Sequence, residues 1–232
     1  MTYTLITANR NYSSWSLRPW VLMKALDIPF IDDIIYFEEE NYERFREFAP
    51  NGQVPCLKDD CRDGRTDTIW DSLAIVEYLA ERHGGCWPDD GNARTWARCA
   101  AAEMHGGFGS LRNICTMNVG VRATLHSIET PLQRNIDRIG ELFAQGLDNF
   151  GGPWLTGQSF SAVDAFFAPV AYRVRSYDLD IGAKGRGWVD RMIAHPAMQD
   201  WERQALAETQ REIGHEEEIA AAATVTADYR AG

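Results

Sequence analysis

Between Asn11 and Pro19 the chain reads Asn-Tyr-Ser-Ser-Trp-Ser-Leu-Arg-Pro, which sets the hydroxyls of Ser13, Ser14 and Ser16 at the start of a helix. Unpaired backbone N–H groups and the helix dipole favour negative charge at such an end. A hydroxyl held there can donate to a thiolate or an oxyanion. The same residue types also cap helices, and on this segment alone both uses stand open. A second group is Gln53-Val54-Pro55-Cys56, a proline just ahead of a strand. A cis Val54–Pro55 bond would turn the Val54 N–H and C=O outward, where an extended peptide can pair with them as an added strand; a trans proline at an edge strand is the plain alternative. The third is Asp71-Ser72-Leu73-Ala74-Ile75. Ser72 and the amides of a helix start suit a carboxylate, and Asp71 suits an ammonium, so the pair fits the amino-acid end of a ligand as well as it fits a cap.

These residues need elements to position them. Tyr3–Thr7 is a short β-rich run ending in the turn-forming Asn9, Arg10 and Asn11, and a helix follows with Pro19 in its first turn. Phe30–Phe37 reads as a strand and Asn41–Ala49 as a short amphipathic helix stopped by Pro50, Asn51 and Gly52. Two strands around an Asp63-Gly64 turn come next, then a helix from Asp71-Ser72 to a stop at His83-Gly84-Gly85. The order β-α-β-α-β-β-α predicts a small mixed sheet with helices on it, its first two strands parallel through a right-handed crossover.

Strand patterns vanish after the Gly-, Pro- and Asp-rich residues 84–91. The second half is expected to be all helical: a long helix from Ala93 to Thr116, one from Thr130-Pro131 to Phe150, then a buried central helix. That helix is opened by Ser161 and Asp164 as a capping box and interrupted by Pro169. Helices over Trp188–Ala194 and Pro196–Glu212 complete it, and the remaining residues read as a frayed helix and loose tail. Met104, Phe108, Leu111, Arg112 and Cys115 form a stripe that reads as core, and the tryptophans are assigned to packing. The acidic runs 38–40 and 216–218 read as solvated charge.

Composition narrows the function classes. With 232 residues, 45% hydrophobic and 25% charged, this is an ordinary globular chain of one or two domains. Lys and Arg number 23 against 34 Asp and Glu, a net charge of −11 that is acidic in both halves, so neither nucleic acid nor an anionic membrane is expected as the main partner. No apolar run approaches the roughly 18 residues of a bilayer span. Residues 1–14 lack the basic stretch and apolar core of a secretory leader, which predicts a cytoplasmic address. Cys56, Cys61, Cys86, Cys99 and Cys115 form no CxxC pair, and the histidines show no ligand spacing, so no metal is expected.

The serine-bearing turn, the Val-Pro step, Asp-Ser-x-Ala-Ile and the later S-x-x-D stand together in one order and spacing. Over residues 3–212 the chain resembles the cytosolic glutathione transferases, and SSWSLRPW is similar to serine-type bacterial and zeta-like members, a group that includes maleylacetoacetate isomerases. The resemblance implies an α/β thioredoxin-like N-terminal domain over 1–84, a linker over 85–92, an all-α C-terminal domain over 93–215 and a tail over 216–232. It further implies glutathione as co-substrate, a small electrophile in a pocket between the domains, and a homodimer.

Residue by residue, Ser13 matches the first serine of the zeta motif, and Ser14 matches the step used in theta-like members. Val54 would pair with the cysteinyl backbone of glutathione beside a cis Pro55, with Gln53 touching the tripeptide, and Asp71 and Ser72 would take the γ-glutamyl end. Trp15 replaces the zeta cysteine, Asp71 stands where that motif has Gln, and Ser176 with Arg175 beside it falls where the zeta arginine is expected. Two rival classes are a glutathione-dependent reductase or peroxidase, for which Cys56 is the nearest thiol, and a non-catalytic binding protein of the same fold.

Overall fold

The computed structural model describes residues 2–38, 40–61 and 64–232. Its first part runs β1 (Thr2–Thr7), α1 (Ser14–Ala25), β2 (Phe30–Ile34), α2 (Asn41–Arg46), β3 (Cys56–Asp60), β4 (Thr66–Trp70) and α3 (Ser72–Ala80). The sheet order is β2-β1-β3-β4, with β1 parallel to β2 and β3 antiparallel to both neighbours. This is the expected mixed sheet of a thioredoxin-like unit. Strand alternation divides β1 between two cores: Tyr3 and Leu5 join the main one, and Ile6 packs on the other face with Ala49 and Cys56. Of the Asp63-Gly64 turn, Arg62 and Asp63 lie outside the described residues, and Cys61 N–H donates to the Arg65 carbonyl at 2.8 Å across it. Helix α1 begins at Ser14, so Pro19 stands inside it and not in its first turn.

The second part contains α4 (Gly91–Gly106), α5 (Gly109–Ile114), β5 (Val121–Leu125), α6 (Thr130–Phe150), α7 (Ala162–Tyr177), α8 (Gly182–Ala194), α9 (Pro196–Ala207), α10 (Ile213–Ala222) and β6 (Ala223–Asp228). It is helical as expected, with two corrections. The single helix expected over 93–116 is two, because Phe108 takes a left-handed φ of 57° and redirects the chain into α5. A Cβ at Gly107 would come within 2.7 Å of the Glu103 carbonyl, so this break has room only for glycine. Of the expected frayed helix and loose tail, the helix is α10 and the tail is instead strand β6, which pairs antiparallel with β5 from Val121 opposite Asp228 to Leu125 opposite Ala223 and gives the expected all-helical part a two-stranded sheet.

The two parts share one apolar core. Helix α1 buries Leu17, Trp20 and Val21 and packs along α7, which is itself buried over nearly its whole length with Pro169 inside it. The start of α7 is set by Asp164, completely buried, whose carboxylate accepts from Leu155 N at 3.0 Å, Trp188 Nε1 at 2.9 Å and Ser161 N at 3.1 Å. The capping box with Ser161 is present. Burial pushes this carboxyl up to about 6, and the hydrogen bonds donated to it oppose the rise without cancelling it. A folded value above the unfolded one of about 3.9 means that the native state holds the proton more tightly, so Asp164 contributes most below pH ~4 and loses stability as pH climbs through ~6. Asp164→Ala strands three buried donors and should cost at least about 2 kcal/mol in urea unfolding, with a larger loss at pH 4.5 than at pH 7.5. Wild-type stability in the variant would remove Asp164 as the organiser of this helix start.

Candidate functional site

The β1–α1 connection is built from polar residues that are themselves buried. The Asn9 carbonyl accepts from Tyr12 N at 3.2 Å and Ser13 N at 2.9 Å, which turns the chain into α1 with Ser13 as its N-cap. Just beyond α9, Glu208 accepts from Arg10 N at 2.6 Å, Asn11 N at 3.2 Å and Asn11 Nδ2 at 3.2 Å. Burial raises the Glu208 carboxyl above its ordinary range, and these donors work against that rise. The Arg10 guanidinium reaches Asp32 at 2.5 Å and lies 4.3 Å over the Trp201 ring. The connection is thus fixed by both parts of the chain.

Above it opens a cleft of about 650 Å³. Ser13, Ser14, Gln53, Val54, Pro55, Asp71 and Ser72, named from three separate stretches of sequence, all line it. The Ser13 hydroxyl makes no capping bond; it is 2.7 Å from the Ser16 hydroxyl, which also accepts from Ala8 N at 3.4 Å. Ser16 is completely buried and does not line the cleft. The Val54–Pro55 bond is cis, and among the described residues neither backbone group of Val54 has a hydrogen-bond partner. Asp71 caps α3 by accepting from Leu73 N at 2.8 Å, at a positive φ of 75° that side chains rarely adopt. Its other oxygen lies 3.5 Å from His105 Nε2. Burial depresses the His105 pKa despite that neighbour, which favours the neutral imidazole. Ser72, completely buried at the start of α3, accepts from Arg18 at 3.4 Å.

Other lining residues were not singled out by type or spacing. Trp15, assigned to packing, lies on the wall beneath the guanidinium groups of Arg18 at 4.2 Å and Arg112 at 5.1 Å. Arg112, read as part of an apolar stripe, lines the cleft, whereas Met104, Leu111 and Cys115 from that stripe are core. Arg175, beside the position where the zeta arginine is expected, is instead paired with Glu202 at 2.8 Å, and Ser176 donates to the Asn118 carbonyl at 2.9 Å. Arg173 takes the cleft wall, 4% exposed, with its Nε donating to the Cys115 carbonyl at 2.8 Å. Its sequence signal was an arginine on the apolar stretch of a largely buried helix.

The acidic stretch 216–218 is also more than solvated charge. Glu216 accepts from the Tyr12 hydroxyl at 2.7 Å, from Asn118 Nδ2 at 3.1 Å and from Arg230 at 2.5 Å, while Glu218 and His215 reach the cleft. Of the stretch 38–40, Glu39 lies outside the described residues and Glu38 pairs with Arg44 at 2.9 Å. Cys56 is completely buried, its thiol pushed up to about 11 by that burial, and it faces the Phe48 carbonyl at 3.5 Å, away from the cleft. Among the described residues no cluster of His, Cys, Asp or Glu is placed to hold a metal, and no helix is long and apolar enough to cross a membrane.

Comparison with known proteins bears on this geometry. The glutathione S-transferase N-terminal domain family matches residues 12–82, and the C-terminal domain family matches residues 122–203. The glutathione S-transferase-like protein gedE of Aspergillus terreus is 26% identical over 195 residues, covering 75% of this chain and 84% of that one. A probable maleylacetoacetate isomerase of Caenorhabditis elegans is 24% identical over 186 residues, covering 74% and 78%. The crystal structure of a Burkholderia glutathione transferase homologue with bound glutathione superposes with a TM-score of 0.65 at 20% identity, over 88% of this chain and 98% of its own, a likeness of fold. Helix α10 and strand β6 lie beyond both matched domains. Matched on each of its two parts, in the order in which the fold presents them, the chain belongs to the glutathione S-transferase superfamily.

Proposed function

We propose that the protein is a glutathione transferase that binds glutathione along the N-terminal wall of the cleft and ionises its thiol at the start of α1. The observation that carries this is the convergence of the seven residues of the three sequence groups on one cleft. The unpaired Val54 backbone suits the cysteinyl unit of the tripeptide, Asp71 its ammonium, and Ser72 with the α3 amides its γ-glutamyl carboxylate. Gln53, which lines the cleft beside Val54, would also touch the tripeptide. The family's habit of pairing two subunits extends to this chain as part of the same reading.

A free thiol with a pKa near ~8.5 is mostly protonated at neutral pH, so the site must favour the thiolate. Ser13 is the first choice as donor. Ser13 donates to Ser16 Oγ, which also accepts from Ala8 N, so turning the Ser13 hydroxyl from Ser16 to the sulfur supplies the thiolate with its proton. Ser14 is the second choice. The Tyr12 hydroxyl is spent on Glu216, and burial together with that hydrogen bond pushes its pKa well up. The buried Cys56 offers no support for the reductase or peroxidase reading.

The opposite wall suggests the electrophile. Arg112 and Arg173 line it, and among the described residues neither has a carboxylate within ion-pair distance, in a chain of net charge −11. Burial brings the Arg173 pKa down to about 10, with the Arg112 charge adding to the fall, yet the group stays charged at neutral pH. Cations that line a cleft without a carboxylate partner favour a ligand that brings the missing anion. The acceptor is therefore proposed to carry a carboxylate or similar group.

Two measurements test this. Ultraviolet titration of bound glutathione should show a lowered thiol pKa in the wild type and a rise of about one to two units in Ser13→Ala, with affinity mostly kept; Ser16→Ala should act more weakly, through Ser13. If no serine variant shifts the titration, the serine assignment is wrong, and wild-type binding with no lowered pKa would favour a non-catalytic binding protein. For the acceptor, a carboxylate-bearing electrophile should exceed its methyl ester in kcat/KM by about tenfold, and Arg173→Met should erase the difference. Equal rates in the wild type would sink the anionic acceptor.

A further inference from the structure

Part of the cleft wall lies beyond both matched domains, at the start of α10. His215 sits in the first turn of α10, on the cleft wall, with its ring stacked between Tyr12 (centroids 5.0 Å apart, planes at 25°) and Phe37 (5.6 Å, 20°). The two rings fix the plane of the imidazole. Rotation within that plane is fixed by Glu212, the N-cap of α10, whose Oε2 lies 2.5 Å from His215 Nδ1 and also accepts the His215 backbone N–H at 2.7 Å. Burial works against the ionised Glu212, and the hydrogen bonds from His215 outweigh it, so the carboxyl is held below its usual range. A carboxylate can only accept, so in the neutral imidazole the proton sits on Nδ1 and the lone pair on Nε2. Among the described residues Nε2 has no hydrogen-bond partner.

We infer that His215 is a proton-transfer residue of this cleft, with Nε2 taking the proton that the glutathione thiol gives up. The inference rests on the glutathione reading above. In the step the S–H bond breaks and an Nε2–H bond forms, both electrons staying on sulfur. The charges that result are a thiolate, to which Ser13 donates, and an imidazolium facing the Glu212 carboxylate. The proton then leaves to the product or to water. Structurally this divides the labour: a hydroxyl from the N-terminal part stabilises the anion, and an imidazole from the C-terminal segment receives the proton.

The charged and titratable groups around the ring come from every element packed on it. Glu212, Glu216 and Glu218 belong to α10 and its cap, Tyr12 to the β1–α1 connection, Arg211 to the turn before α10 and Arg230 to the segment after β6. Glu216 is engaged by Arg230 and Tyr12, and Arg211 by the carbonyls of Glu208 and Ala231, so Glu212 is the carboxylate committed to the imidazole.

The test compares wild type with His215→Phe, which keeps a ring in the stack, and with Glu212→Gln. Readouts are kcat/KM against pH with glutathione and an activated aryl halide, glutathione affinity by calorimetry, and melting temperature. His215→Phe should lose about a hundredfold in kcat/KM at pH 6.5–7.5, and the loss should shrink as pH rises and hydroxide supplies the thiolate. Affinity should stay within about threefold, and added imidazole should restore part of the rate. Glu212→Gln should fall between the two. A His215→Phe enzyme with wild-type rates, or one whose loss is the same at every pH and unmoved by imidazole, overturns the inference while leaving the parent reading intact. Should wild-type protein neither bind glutathione nor turn it over, the parent reading fails and this one with it.

Discussion

A buried carboxylate holds the working loop of this protein. Glu208 stands just past α9, yet its partners are the backbone N–H groups of Arg10 and Asn11 and the Asn11 side chain, so the loop that presents Ser13 is shaped by a distant part of the chain. Taking a carboxylate out of water is costly unless donors satisfy it. Three N–H groups from the loop do so, and the same bonds relieve amides that a tight buried turn would otherwise leave unpaired. Arg10 adds its bond to Asp32 and its stacking on Trp201, and Trp201 Nε1 returns a hydrogen bond to the Arg10 carbonyl at 2.8 Å. Breaking this junction would loosen the serines without touching either of them.

The cleft follows from that junction and from the α1–α7 packing. Because α1 is buried against α7, the N-terminal wall and the arginine-bearing wall belong to one rigid frame and cannot be adjusted separately. Helix α7 carries both roles: its first turn is locked by Asp164, and further along Arg173 emerges at the cleft. The break at Gly107-Phe108 has a similar effect, since it turns α5 so that Arg112 meets Trp15.

Much of the N-terminal part was legible in the sequence because its signals are local. Val54-Pro55, Asp71-Ser72 and the serine run each sit at an element boundary where turn and capping chemistry reads directly off a few residues, and alternation in short strands gave the sheet. What escaped was set by distant partners. Val121–Leu125 and Ala223–Asp228 pair across about a hundred residues, and neither segment alternates strongly enough to announce a strand. His215 and Glu216 look like part of a charged surface run until Tyr12 and Arg230 are placed beside them. Arg173 reads as one polar residue in a buried helix, and only the position of α5 shows that its flank is open. Phe108 escaped for a different reason, since nothing in its residue type asks for a left-handed backbone.

The pairing of Tyr12 with Glu216 and Arg230 has a consequence for how the molecule is made. Synthesis runs from the N-terminus, and early domains fold as they emerge. The β1–α1 loop leaves the ribosome long before Glu208, Glu216 and Arg230 exist to hold it, so a nascent thioredoxin-like unit must wait with this loop's amides and hydroxyls exposed to water. The cleft is completed only when the chain through residue 230 has emerged and β6 has found β5. Maturation of the cleft is in that sense timed by the emergence of α10, β6 and Arg230 and not by the folding of the part that carries most of its residues.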